Sequence, residues 1–181
     1  MHNNAPLTMI RPTLESLPKH KLSAGFRLRS YAPGDIEHWL AIHRLADHDN
    51  EVSESLFYAQ FSANEQLLAE RQIYLVDAAG TPIGTATAWF DDNFQGRRWG
   101  RVHWVAIAPA WQGRGLAKPL LAAVCRRLRE LGHDRAYLTT SSARLPAINL
   151  YLMFGFAPLL SDAADQQRWA MVLTRLARTG R

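Results

Sequence analysis

The sequence predicts an α/β (α+β) domain built on a mixed, mostly antiparallel sheet. Three observations predict it. Apolar, β-patterned runs at residues 72–77, 83–90 and 101–108 follow one another with only turns between them, as in an antiparallel meander. Two segments of helical spacing, 115–131 and 146–154, come after the meander, separated by a short β-rich run. Pro109 closes the third run, because proline has no N–H to donate to a ladder.

Each element has its own signal. Residues 1 to about 24 are expected to form an N-terminal arm, either free or packed on the domain, ahead of a single domain at 25–181. Pro6, Pro12 and Pro18 interrupt the arm, and no regular period survives between them. Phe26, Leu28 and Ser30 then alternate with Arg27 and Arg29 as a half-exposed strand. A turn at Ala32-Pro33-Gly34-Asp35 leads into a helix with Ile36, Trp39, Leu40 and Ile42 at helical spacing. A polar stretch from Asp47 to Glu54 precedes a second helix over about 55–70. Gly80 and Pro82 mark the turn between the first two meander strands, and 91–100 reads as a hairpin loop. In the long helix, Leu116, Leu120, Val124, Leu128 and Leu131 form an apolar stripe. Residues 135–139 read as a strand, 146–154 as a helix opening at Pro146, and 156–160 and 169–173 as two closing strands.

Composition narrows the function. A chain of 181 residues with 48% apolar and 20% charged residues has the balance of one globular domain. Uncharged apolar runs such as Pro119 to Cys125 are too short to cross a bilayer, and Met1 to Leu22 lacks the apolar core of a signal peptide. The single cysteine, Cys125, excludes an intramolecular disulfide, and the seven histidines show no metal-binding spacing. A cytoplasmic protein without a metal is expected. The net charge of +5 suits a polyanionic ligand without identifying one.

The segment that carries chemistry runs from Val105, Ala106 and Ile107 through Gln112-Gly113-Arg114-Gly115-Leu116-Ala117-Lys118. A strand ends in a loop with two glycines, and a long helix opens at once. Such a corner offers unpaired backbone N–H groups with the positive end of a helix dipole behind them. Glycine removes the Cβ that would keep a phosphate from the backbone. A helix start that uses glycine only for its turn is the other reading of these residues. Neither common phosphate-loop motif is present.

Gln112-Gly-Arg-Gly115-Leu-Ala117 resembles the Q/R-x-x-G-x-G/A signature of the GNAT superfamily of acyl-CoA-dependent N-acyltransferases. Leu150-Tyr151-Leu-Met-Phe-Gly155-Phe156 resembles that family's second signature, a helical L-Y-x-x-x-G-F, in the right order along residues 26 to 174. The resemblance implies a central sheet of six to seven strands, helices on both faces and a splayed central strand pair. It implies acetyl-CoA as cosubstrate, with pantetheine bonded to the backbone at Val105 and Ile107 and the Ile107 N–H as an oxyanion donor. The pyrophosphate would rest on the amides from Gly113 to Ala117, with Arg114 or Lys118 free to reach a phosphate. Pro119 departs mildly from a helix start, yet its missing N–H falls among donors that have no helical partner anyway.

Transfer to an amine needs the neutral amine. With a pKa near ~10.4, neutralising an alkylammonium at pH 7 costs about 4–5 kcal/mol, whereas a thiol leaves more easily. A base therefore matters more than an acid. Tyr151 matches the family's usual general acid; packing of its short helix is the other reading. His103 matches a histidine of arylalkylamine-type members, and strand alternation places it on the face of Val105. An ordinary imidazole pKa would suit a base, although a strand histidine is often only packed. Other members carry a glutamate where Arg101 stands, which argues against a glutamate base here. Arg144 occupies a position where many relatives have asparagine, and a phosphate contact is expected of it. Cys125 has no base at helical spacing, so direct attack in a ternary complex is expected.

The expected acceptor is a primary amine of a small molecule or peptide. Asp47-His-Asp49-Asn-Glu51-Val-Ser-Glu54 carries four acids and could draw in a cationic amine, as could a merely solvated loop. Trp89, Trp99 and Trp104 are candidates for an aromatic-tolerant pocket or for sheet packing. Alternative acceptors are a protein N-terminus, a lysine or an aminoacyl-tRNA, and a noncatalytic CoA sensor is the further alternative. Nucleic acid and membrane are not expected as partners; the Arg97-Arg98-Trp99-Gly100-Arg101 patch would be the place for RNA. A homodimer is left open.

Overall fold

In the computed structural model, which describes residues 4–179, the strands form one sheet in the order β2-β3-β4-β5-β6-β1-β7. These are β1 (Pro6–Arg11), β2 (Arg27–Ser30), β3 (Gln72–Val76), β4 (Pro82–Phe94), β5 (Arg97–Ile107), β6 (Ala136–Ser141) and β7 (Ala157–Pro158). Every neighbouring pair is antiparallel except β5 and β6. The helices are α1 (Ile36–Ala46), α2 (Glu54–Gln60), α3 (Glu65–Arg71), α4 (Ala117–Glu130), α5 (Leu145–Met153) and α6 (Ala163–Thr179).

The sheet separates two cores. On one face α4 buries Leu120, Leu121, Val124, Cys125 and Leu128 against the strands, joined by Ile148 and Tyr151 of α5. On the other, Trp39 of α1, Phe57 and Phe61 are almost wholly buried, their rings meeting edge to face at 5.2–5.8 Å. Each such side chain contributes roughly 1.5–3 kcal/mol by burial. That cluster anchors α1, which brings the residues at its C-terminal end to the functional cleft.

Five expectations are corrected. The arm holds a strand: β1 lies between β6 and β7 and buries Leu7 and Met9. The helix expected over 55–70 is two, because Asn64 accepts from the Leu67 N–H and so caps a fresh start after a break at Ser62, whose φ is 74°. The hairpin expected over 91–100 is mostly strand, with Gln95 and Gly96 at its tip. Residues 169–173 are helical, not a strand. Trp169, Val172 and Leu176 follow helical spacing, and Asp162 Oδ1 accepts from the Asp165 N–H at 2.7 Å to start α6. The last strand shrinks accordingly to Ala157–Pro158.

Two features of β5 position the site. Thr85 pairs with Ala106 and Thr87 with His103, so Trp104 and Val105 together oppose Ala86. This is a β-bulge, with Trp104 at φ 47°. Meanwhile β5 pairs with β6 only at Gly100–Ala136 and Arg101–Tyr137. Beyond Arg101 the two strands part, and the expected splay is present.

Candidate active site

The parted strands open a cleft of about 1230 Å³ that runs from the β5–α4 corner to the C-terminal end of α1. Its walls are the second half of β5, the corner, the end of β6 and α5.

At the corner, Gly113 and Gly115 have φ of 74° and 75°, and a Cβ at either would meet nothing within 4 Å. Such φ values favour glycine, and the open space lies where a ligand can approach the backbone. No hydrogen bond among the described residues uses the amide N–H groups of residues 113–118. Gln112 holds the loop to the strand by donating from Nε2 to the Ile107 carbonyl at 2.8 Å. The Ala108 N–H donates to the Ile83 carbonyl at 2.8 Å, making those two residues a hydrogen-bonded pair. Ladder alternation then turns the N–H and C=O of Ile107, paired with Gly84, away from β4 and toward the parted strands. An N–H row at a helix start beside a strand gap fits a diphosphate carrying an extended, amide-containing arm.

Val105, Ala106, Ile107, Gln112, Gly113, Gly115, Leu116, Ala117 and Lys118 all line the cleft. Arg114 does not. Its guanidinium lies 4.6 Å over the Trp111 ring and donates to the Ala110 carbonyl at 3.2 Å. Arg144 lines the cleft, but its Nη2 pairs with Asp47 at 2.9 Å and Asp49 at 3.0 Å. The expected phosphate contact thus meets a guanidinium already engaged by two carboxylates, on the limb of the cleft formed by α1.

Tyr151 projects from α5 into the cleft wall, and burial pushes its phenol up to about 12. The hydroxyl therefore stays protonated and able to donate at neutral pH. Among the described residues it makes no hydrogen bond.

His103 also lines the cleft, but not on the face of Val105. The bulge breaks the alternation: Val105 packs with the α4 core, while His103 lies 5.3 Å from the Phe61 ring on the other side. Burial, then Arg101 and His43, hold its imidazole well below the usual histidine range, so it is neutral. Its Nε2 is buried with no hydrogen-bond partner among the described residues.

Sequence reasoning missed His43. It is 2% exposed, it lines the cleft, and its Nε2 is likewise buried with no partner among the described residues. Burial lowers its pKa to about 3, against the weaker opposing pull of Asp47. Trp104 packs between the two imidazoles, with ring centroids 5.0 Å from His43 and 6.1 Å from His103. Gln60 fixes the indole by accepting from its Nε1 at 3.1 Å. Of the three tryptophans proposed for a pocket, Trp104 lines the cleft, whereas Trp99 meets Phe94 edge to face and Trp89 stacks with Phe90. The signal available for His43 was its place four residues before Asp47 on a helix whose apolar face was already evident.

The sequence matches the acetyltransferase (GNAT) family over residues 37–156. The mycothiol acetyltransferase of Thermobispora bispora is 32% identical over 153 residues, covering 82% of this chain and 52% of its own. The chain spans about half the length of the curated relatives it matches. A solved GCN5-related N-acetyltransferase from Sphaerobacter thermophilus superposes with a TM-score of 0.70 at 21% identity, over 85% of this chain and 48% of that one. A NatC complex bound to Gag peptide and CoA superposes with a TM-score of 0.62 at 21% identity, over 75% of this chain and 86% of that one.

Proposed function

The chain belongs to the acetyltransferase (GNAT) family, and from that premise we propose that it transfers an acetyl group from acetyl-CoA to a primary amine of a small molecule, by direct attack in a ternary complex. The observation that carries this reading is the corner: unpaired amides at residues 113–118 open onto the gap between β5 and β6, and Tyr151 lines the same cleft.

Acetyl-CoA supplies the activated acetyl group. The amides of Gly113 to Lys118 hold its diphosphate, with Lys118 adding a charge at the helix start. The Ile107 N–H, aimed into the gap, donates where negative charge develops on the acyl oxygen. Tyr151, kept protonated by burial, donates to the departing sulfur. His103 accepts a hydrogen bond from the amine. Its lowered pKa makes it a poor store for a proton, so the proton passes on to water in the cleft. Cys125 takes no part: it is fully buried in the α4 core, and burial pushes its thiol up to about 12.

Relatives named for a small molecule, mycothiol, support a small acceptor over a protein one. The peptide acceptor stays the second member of the same class. We place the reaction in the cytoplasm; no helix among the described residues is long and apolar enough to cross a membrane. Acetyl-CoA is expected to raise the melting temperature, and thiol release is expected with part of a primary-amine panel. Stabilisation by acetyl-CoA with no thiol release across small amines and peptides would instead make this a CoA sensor. Absence of any stabilisation would remove the reading altogether.

A further inference from the structure

The limb of the cleft away from the corner has chemistry that acetyl-CoA does not need. Asp47, Asp49 and Arg144 line it, and they join two distant parts of the chain: the end of α1 and the start of the helix that carries Tyr151. Both ion pairs fall on one nitrogen of Arg144, Nη2. Nε and Nη1 donate to nothing among the described residues, and neither is among the buried atoms left without a partner. A guanidinium is thus pinned from one side with two donors left open. Asp47 is nearly buried and further tied by the Asp49 N–H and by Asn50 Nδ2, each at 2.9 Å, while the Asp49 side chain is 41% exposed. One turn before Asp47 on the same wall, His43 holds its unpartnered Nε2.

Charge decides what these donors can receive. Two carboxylates against one guanidinium leave one net negative charge, and the neighbouring imidazole is neutral. An ammonium is drawn to such a cluster, whereas a further carboxylate is repelled. A hydroxyl or amide carbonyl accepts from Nε or Nη1 without that penalty. Resting on the acetyl-transfer reading, we propose that Arg144 is the acceptor-specificity residue, and that the amine it selects carries a neutral oxygen acceptor, hydroxyl or amide carbonyl, close to its amino group. Asp49 receives the ammonium on arrival, and Arg144 orients the oxygen beside it.

The test uses the full chain, acetyl-CoA and matched pairs of primary amines that differ only in a neighbouring hydroxyl or amide carbonyl. Thiol release gives kcat/KM, and melting curves with and without acetyl-CoA accompany each variant. The parent is expected to prefer the oxygen-bearing member by about 10–100-fold, the range of a hydrogen bond to a charged group. Arg144→Ala is expected to erase that preference mainly through KM, with a smaller loss on the plain amine and the acetyl-CoA stabilisation kept. Arg144→Lys restores the preference only in part, and Asp49→Asn raises KM for both members while keeping it. Equal loss on both members in Arg144→Ala would reduce the bridge to a structural tie. Loss of the acetyl-CoA stabilisation would make Arg144 a phosphate ligand, and a preference for free carboxylates would overturn the neutral-oxygen assignment. A parent stabilised by acetyl-CoA but inert toward both members would remove the acetyl-transfer reading and this one with it.

Discussion

Replacing Gly115 by alanine tests the corner with a magnitude the geometry supplies. Gly115 has φ 75°, where an L-residue costs about 1–2 kcal/mol, and its Cβ would meet no protein atom within 4 Å. The variant therefore folds with mild strain, but places a methyl group in the space a diphosphate must enter. Losing one charge-assisted hydrogen bond from the amide row costs about 1.5–3 kcal/mol, or roughly 10–150-fold in the Kd for CoA. Gly96 is a matched control: its φ is 76°, a Cβ there also meets nothing, and it stands at the hairpin tip outside the cleft. Both substitutions should lower the melting temperature by similar amounts, about 2–8 °C for a domain of this size. Calorimetric titration with CoA should separate them. If Gly115→Ala binds CoA like the parent, or if Gly96→Ala weakens it equally, the amide row does not hold the diphosphate.

Three other expectations follow from buried groups. Tyr151→Phe should lower turnover on the order of 10²-fold with the Kd for CoA nearly intact, and the parent should keep its activity to pH 10 because the phenol titrates only near about 12; unchanged turnover would remove Tyr151 as the acid. His43 is held neutral with a folded pKa of about 3 against about 6.5 unfolded, so the unfolded chain takes up a proton first as pH falls. Stability from this residue is complete above pH 6.5 and declines from there toward pH 3, by about 2 kcal/mol at pH 5, with His103 adding in the same direction. Denaturant melts at pH 8 and 5 should show the loss, and His43→Gln should flatten it; parallel pH dependence in parent and variant would contradict the burial argument. Cys125→Ala should retain turnover, and the native parent should resist iodoacetamide, since its thiol is buried and titrates near about 12; inactivation by alkylation of the folded enzyme would revive a covalent route.

Much of the cleft was legible because its parts are local. The glycines at 113 and 115, the helix that follows and Tyr151 on the next helix are all adjacent in sequence to the signals that announce them. What failed depended on distant partners. The strand at Pro6–Arg11 was hidden because its inward face alternates Leu7 and Met9 with Arg11, which looks like an exposed residue. Arg11 is buried only because carbonyls of Thr13, Glu15 and Phe154 accept its N–H groups. The run from Trp169 to Leu173 is apolar enough for a strand, and its helical period emerges only with Leu176 and the Asp162 cap included. His103 was assigned to the face of Val105 by simple alternation, which the bulge at Trp104 and Val105 defeats. The ion pairs of Arg144 were equally hidden, because nothing local reveals carboxylates almost a hundred residues earlier.

Amide hydrogen exchange at residues 113–118, followed residue by residue with and without saturating CoA, bears most directly on the central claim. Those N–H groups have no hydrogen-bond partner among the described residues, so they should exchange fast in the free protein and slow markedly on binding. The Gly96 amide at the hairpin tip should not change. Fast exchange at 113–118 that persists at saturation would place the diphosphate elsewhere.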